Sequence, residues 1–473
     1  MKLSFTILTI LLFKNATFSQ SSRQQKQLDS VFSMMNRQNQ FNGTVLIAEK
    51  GKVIYHKGFG YRDTSSGSVN NKTTSYELAS CSKQFTAAAI VLLHRDGLLN
   101  YEDRLSKHIP ELSFWQEVTI YDLLRHTSGL PEYLIDMPKS WDHHKIATND
   151  DLIKFYAQRK DTLEFKPGNR HRYNNTNYAL LASIIERLSG KSYAGYLQER
   201  IFKPLHLNQT FVFNRRLQPR KLPNHAIGYV WAKNSFDLVS SENARYGDSM
   251  VYYLDGIVGN AKVNSTASEM NKWLIALNRN TLFTKDEFEL MTTVSKTTAG
   301  KQIPYGFGLD LSKGTGTFSY GHTGSWDGYA TFIYHNVIKD RSIITLQNFK
   351  MGAYPFDNIN QILDGKPLTI EYRPKIQLSD DQIKRFAGEY VDEQNKNEVQ
   401  VLTFLDGHLV HNSSRVRWDM RFFPVSASEF QAIRQGGADG VLKFTELSNG
   451  DTRLEMLQYG EVIGSGIKKK TVE

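Results

Sequence analysis

The sequence predicts a mixed α/β chain, a helix-rich body bracketed by β-strands, with a separate all-β segment after it. Three observations carry this expectation. Thr44 to Gly58 reads as two strands around a tight Lys50-Gly51 turn. Phe318 to Asn348 reads as further antiparallel strands, with Lys339-Asp340 at one turn and helical segments between the two runs. From Phe386 onward, short strands recur at a spacing of roughly ten residues, with Asp406-Gly407 and Asn449-Gly450 as hairpin signals.

At 473 residues the chain is too long for one compact core, and two domains plus extras are expected. A composition of 40% hydrophobic and 22% charged residues fits a globular protein and excludes a disordered or membrane-spanning class. The start, Met1-Lys2 and then the apolar run Leu3 to Phe13, reads as a secretory signal over residues 1–19, with Thr17-Phe18-Ser19 offering small residues for cleavage. That run is too short to span a bilayer. A secreted or periplasmic bacterial protein with no transmembrane segment in the mature chain is therefore expected. The formal charge of +10 falls to +8 once Lys2 and Lys14 leave with the signal. Such an excess favours loose association with anionic polymers such as cell-wall glycans. The basic residues are scattered apart from Lys468-Lys469-Lys470, and no nucleic-acid-binding module is present. Cys81 is the only cysteine, so no intramolecular disulfide is possible.

Within the body, Phe85, Ala88, Ala89, Leu92 and Leu93 recur with the spacing of a helix that buries one face, and Gly97 stops it. Ser80 stands at the start of this helix, with Lys83 one turn on. A serine hydroxyl needs a base within hydrogen-bond reach to act as a nucleophile. A lysine serves when burial or a nearby cation lowers its pKa. Farther on, Pro167-Gly168 marks a turn, and Asn174 or Asn175 caps a helix whose apolar face is Tyr178, Leu181, Ala182 and Ile185, ending at Gly190. Tyr173 and Asn175 thus project where a loop enters a helix, a common position for site residues. Tyr320 to Tyr329 ends one strand, turns, and opens the next, and it holds His322-Thr323-Gly324. A second Ser-x-x-Lys, Ser465 to Lys468, lacks helical periodicity and reads as chance.

In this order the motifs resemble those of the serine β-lactamase and penicillin-binding protein superfamily, and most closely its class C β-lactamase, D,D-peptidase and esterase branch (the peptidase S12 type). S-x-x-K is Ser80 to Lys83, Y-x-N is Tyr173-Asn174-Asn175, and H-x-G is His322-Thr323-Gly324, where many members have K-T-G. Leu123 to Leu130, Phe165 to Gly168, Ser265-Thr266-Ala267 and Tyr305 to Gly308 match as supporting stretches. Tyr334-His335-Asn336 is a spare Y-x-N, and Ser241-Glu242-Asn243 is an alternative second motif without the Phe-x-Pro-Gly lead-in or the following helix.

The resemblance implies a β-lactamase/transpeptidase-like domain over 20–365, with an antiparallel sheet formed from both ends of the domain, flanked by helices and joined to a helical lobe. A linker over 366–375 and a lipocalin-like β-barrel or sandwich over 376–473 would follow. It implies a secreted serine hydrolase acting through a Ser80 acyl-enzyme on an ester, an amide or a D-amino-acid peptide, a small or short-peptide substrate, with no cofactor and no metal. The alternatives are a class C-type β-lactamase and a non-catalytic penicillin-binding or sensing protein. Lys83 and Tyr173 would share the proton work, either being the base. Asn175, His322, Thr323 and Gly324 would contact substrate, with Gly324 allowing substrate close to its strand. The backbone N–H groups of Ser80 and Ser325 would form the oxyanion hole. A mostly neutral histidine at 322 in place of lysine weakens recognition of a substrate carboxylate.

Overall fold

The computed structural model describes residues 22–232, 235, 237–241, 250–279, 281–393, 395–412, 417–433 and 437–469, so the expected signal segment lies outside the described residues. The chain forms two compact units. One comprises Asn42–Val230 with Val239–Lys350; the other gathers the described residues up to Phe41, the stretch Trp231–Leu238, and those from Met351 onward.

The first unit is built on a six-stranded antiparallel sheet. Its strands are β1 (Gly43–Glu49), β2 (Lys52–Phe59), β3 (Asp310–Gly314), β4 (Thr317–Trp326), β5 (Tyr329–Asn336) and β6 (Arg341–Gln347), in the order β3-β4-β5-β6-β1-β2. Both ends of the unit therefore meet in one sheet, with Gly43 opposite Gln347 and Glu49 opposite Arg341. The turn between β1 and β2 has Lys50 and Gly51 both at positive φ, 51° and 74°, the geometry whose twist matches a tight hairpin. Every residue of β6 is buried. Strand β3 pairs with β4 only as far as Gly321, so among the described residues no strand pairs with His322–Trp326 of β4 on that side.

Four helices frame the site: α1 (Lys83–Arg95), α2 (Ile120–Arg125), α3 (Asn175–Ser189) and α4 (Ala267–Asn278). The sequence predicts that α1 buries one face, but Lys83 to Leu93 are buried on every side, because α1 is a central helix of the core rather than a surface one. Asn174 caps α3 by accepting from Asn177 N at 3.4 Å, and Gly190 ends it in the left-handed conformation. None of the described helices is long and apolar enough to cross a membrane.

In the second unit a helix runs over 22–37. Eight strands close into an antiparallel barrel: β7 (Gly388–Val391), β8 (Val399–Leu405), β9 (His408–Asn412), β10 (Arg417–Pro424), β11 (Glu429–Ile433), β12 (Asp439–Glu446), β13 (Thr452–Gln458) and β14 (Glu461–Lys468). Phe386, Tyr390, Leu402, Phe422, Phe430, Leu442 and Phe444 form part of its buried core, with Phe386 stacked on Phe444 at 4.3 Å between centroids. Asp406-Gly407 joins β8 to β9 as expected; Asn449-Gly450 lies in a longer loop. Ser465 and Lys468 fall three apart on β14, where alternation sends them to opposite faces, and Lys468 Nζ binds the Arg385 and Ala387 carbonyls.

Behind the β4–β5 turn lies a buried group of charges. The Asp327 carboxylate takes two hydrogen bonds from Arg216, at 2.7 and 2.8 Å, and an ion pair from Arg215 at 2.6 Å. Asp255 pairs with Lys262 at 2.8 Å and accepts from Arg216 N at 2.7 Å. Burial opposes the Asp327 charge, but Arg215 and Arg216 outweigh it and hold the carboxyl below its ordinary range. Asp327→Asn keeps a residue that tolerates the turn's positive φ and leaves two buried guanidiniums short of their anion. A loss of about 3 kcal/mol is expected at neutral pH. The lowered folded pKa means that the carboxylate's contribution is complete above the unfolded value, about 4, and is lost as pH falls through the folded one. Thermal unfolding should therefore show the gap between variant and parent narrowing towards acid.

Candidate active site

Ser80 lies in a one-turn 3₁₀ segment, Ala79–Ser82, that runs directly into α1, so the serine precedes the α-helix and Lys83 is the first α-helical residue. Ala79 sits at a φ of 49°, a conformation costly for a residue with a Cβ. Its neighbours hold it there. Leu78 N donates to Val263 O at 2.8 Å, Thr331 Oγ1 donates to Leu78 O at 2.8 Å, and Val263 N donates to Ser82 Oγ at 3.0 Å.

The Lys83 amine is fully buried and has three partners: Ser80 Oγ at 3.2 Å, Asn175 Oδ1 at 2.8 Å and the Asn260 carbonyl at 3.0 Å. Burial lowers its pKa to about 7; the more distant negative charge of Glu132 works the other way. The amine also lies 4.8 Å from the centroid of the Tyr173 ring. Tyr173 keeps 38% of its surface open, yet the atoms crowded around its phenol oxygen push its pKa well above the ordinary value, while a hydrogen bond with Ser80 pulls it down. At neutral pH the pair is thus a neutral phenol beside an amine poised near its titration point.

Glu132 is a site residue that the sequence analysis misses. One of its oxygens accepts from both Asn175 N, at 2.7 Å, and Asn175 Nδ2, at 3.1 Å. The amide group can then present only its oxygen to Lys83. The two residues are 43 positions apart, and no periodicity connects them. Asn260 contributes through its backbone carbonyl, which leaves no signature in a side-chain pattern. His126, at the left-handed end of α2, packs 4.4 Å from the Tyr173 ring, and its Nδ1 faces Asn174 N at 3.1 Å.

Strand β4 passes beside the serine. Cys81 Sγ lies 3.1 Å from His322 O and 3.3 Å from Thr331 Oγ1, and burial raises its thiol to about 12, which makes it inert as a nucleophile. A Cβ on Gly324 would stand 2.4 Å from Leu78 O and from Thr331 Oγ1. The close approach of the segment that carries Ser80 therefore requires glycine at 324. His322, expected to contact substrate, is enclosed by its neighbours. It is 3% exposed, its Nδ1 meets the Thr323 carbonyl at 2.5 Å, and its Nε2 meets Tyr305 Oη at 2.9 Å. A carbonyl only accepts, so Nδ1 carries the proton and Nε2 accepts from the tyrosine. Burial, the first cause, lowers the His322 pKa, and the ring is neutral at neutral pH. Thr323 is partly open, and Ser325 is exposed on the part of β4 that β3 does not cover. Ser241 is engaged elsewhere, accepting from Arg215 at 2.8 Å and donating to Asp327 O at 3.0 Å, while Glu242 and Asn243 lie outside the described residues.

A family model described as Beta-lactamase matches residues 28–363. Penicillin-binding protein 4* of Bacillus subtilis (strain 168) is 35% identical over 416 residues, which covers 86% of this chain and 91% of that protein. Protein flp of Staphylococcus aureus (strain NCTC 8325 / PS 47) is 27% identical over 341 residues, 70% of this chain and 64% of that one. Among solved structures, the octameric penicillin-binding protein homologue from Pyrococcus abyssi aligns with a TM-score of 0.64 at 24% identity, over 94% of this chain and 99% of that chain. The D-amino acid amidase from Ochrobactrum anthropi SV3 complexed with L-phenylalanine amide aligns at 0.59 and 22%, over 73% and 99%; at these identities the two structures speak for the fold. With the family model matched over most of its length, the chain belongs to the Beta-lactamase family, within the superfamily of serine β-lactamases and penicillin-binding proteins.

Proposed function

We propose that the protein is a secreted serine hydrolase that forms an acyl-enzyme on Ser80 with an ester, an amide or a D-amino-acid peptide. The observation that carries this reading is the Lys83 amine, 3.2 Å from Ser80 Oγ and with its pKa lowered to about 7. Neutral Lys83 keeps two N–H bonds for Asn175 and Asn260 and turns its lone pair to the serine hydroxyl. As Oγ attacks the carbonyl carbon, its proton passes to Nζ. When the bond to the leaving group breaks, the Tyr173 hydroxyl gives its proton to the departing nitrogen or oxygen and takes one from Lys83. Water then adds to the acyl carbon by the reverse path and frees Ser80. Lys83 is the base in this reading because Tyr173, with its raised pKa, stays a phenol.

The N–H groups of Ser80 and Ser325 would hold the oxyanion, each contributing about 3 kcal/mol to the transition state. The uncovered edge of β4 offers backbone groups along which a peptide can lie. His322, neutral and enclosed, provides no fixed cation for a substrate carboxylate, which favours esters, amides and D-amino-acid peptides over β-lactams. The named activity of one structural neighbour, D-amino acid amidase, is compatible with that substrate class.

Ser80→Ala should abolish both labelling by a fluorophosphonate or fluorescent penicillin and hydrolysis of a chromogenic ester. Intact-mass detection of adduct on this variant would overturn the assignment. Tyr173→Phe should fold normally and lose about a hundredfold in kcat or more, as expected when one proton-transfer group is removed.

The pH dependence separates the role of Lys83 from simple packing. The amine must be neutral, so kcat/KM should rise with pH through about 7, the value to which burial brings Lys83. The Glu132 charge raises that pKa, so Glu132→Gln should move the rising limb to lower pH. It should also lower the plateau, because the Asn175 amide is no longer held in one orientation. A limb that stayed in place, with a lower rate at every pH, would assign Glu132 a structural role only.

A further inference from the structure

A cleft of about 970 Å³ opens on the first unit and shares no residue with the Ser80 site; Arg62, Asp63, Phe213, Arg220 and Lys221 are among the residues that line it. Its floor is firmly tied to the fold. Ser75 N donates to Asn224 O at 3.0 Å, Ala226 N to Ser75 O at 2.9 Å, Ile227 N to Arg62 O at 2.8 Å, and Tyr329 Oη to Ala226 O at 2.7 Å. The volume falls within the range of small-ligand sites.

The stretch 213–227 holds Arg215, Arg216, Arg220 and Lys221 and no acidic residue. These four cations divide in two. Arg215 and Arg216 turn inward onto Asp327, whereas Arg220 and Lys221 stay exposed at the cleft. Arg220 is braced by two rings, with its guanidinium 5.1 Å from the Phe213 centroid and 5.8 Å from that of Phe211. Arg62 reaches the same cleft while donating to Val69 O at 3.3 Å. Among the described residues no carboxylate pairs with Arg62, Arg220 or Lys221. The acid in the wall is already engaged, because Asp63 accepts from Ser65 N at 2.9 Å, Ser65 Oγ at 2.7 Å and Ser66 Oγ at 2.7 Å. Arg62, Arg220 and Lys221 outnumber Asp63, the one carboxylate among the described lining residues, and leave a net positive field in the concavity. Arginine forks suit phosphate and carboxylate alike.

We propose that this cleft binds an anionic oligomer that presents phosphate or carboxylate groups to Arg62, Arg220 and Lys221. Nothing in this binding depends on Ser80 chemistry. Binding of short-chain polyphosphate and of polyglutamate to the full chain, measured by calorimetry at low and high salt, tests it. The parent should bind one of them with an affinity that falls as salt rises. Arg62→Gln/Arg220→Gln/Lys221→Gln should weaken that binding about tenfold, the combined worth of a few exposed charge contacts. Lys52→Gln/Lys154→Gln/Lys203→Gln removes the same charge at exposed positions outside the cleft and should bind like the parent. A preference for polyphosphate or for polyglutamate names the group recognised, and equal affinity means recognition by charge alone. Absent binding by the parent, or an equal loss in both triple variants, would overturn the proposal. Thermal unfolding verifies each variant; if the cleft variant fails to fold, Arg220→Gln and Lys221→Gln singly, both at exposed positions, should each weaken binding by a few-fold.

Discussion

The buried amine of Lys83 is the interaction on which the rest of the site depends. A lysine nitrogen removed from water is costly unless its hydrogen bonds are replaced. Here the replacements come from three separate stretches of chain: Ser80 at the start of α1, Asn175 at the start of α3, and the Asn260 carbonyl. Each of these must be held to a fraction of an ångström, so much of the local architecture is bracing. Glu132 fixes the Asn175 amide. Val263, three residues beyond Asn260, accepts from Leu78 N and donates to Ser82 Oγ, on either side of the serine. Burial then does chemical work, because the same removal from water that demands the partners brings the amine near its neutral form at physiological pH.

The strand side of the site follows a different logic. β4 lies so close to Leu78–Ala79 that only glycine fits at 324. The left-handed Ala79 is the counterpart of that close approach, a local cost held in place by the hydrogen bonds of Leu78. The buried charges of Asp327, Arg216, Asp255 and Lys262 sit just beyond the end of β4 and secure the turn there. Since β3 pairs with β4 only as far as Gly321, the last residues of β4 are left without a β3 partner beside the serine. The result is an exposed backbone edge on a rigid base.

How far the sequence foretold this varies with the range of the interaction. The hairpins at Lys50-Gly51 and Asp406-Gly407 were legible because their turns are made by the residues that form them. The Asn174 cap and the Gly190 stop were legible for the same reason. The burial of α1 on all sides was not, since Lys83, Gln84 and Thr86 look polar in a helical pattern and are enclosed only when β4, α3 and α4 close around them. The hairpin turn at Tyr459-Gly460 went unread because tyrosine, at a φ of 52°, is an unusual residue for that position.

For the site itself, the sequence alone determined which residues carry reactive groups and in what order: a serine one turn before a lysine, a tyrosine and an asparagine at a helix entry, and a histidine, threonine and glycine on a strand. Those features are local in the chain, and local spacing expresses them. The tertiary structure decided what the groups face. It turned His322 onto Tyr305 and Thr323, set Gly324 against the segment that carries Ser80, and brought Glu132 and Asn260 to the amine. The physical reason is that a pKa and a hydrogen-bond partner are set by the surroundings of a side chain in space, and for the Lys83 amine two of the three partners come from 92 and 177 positions away.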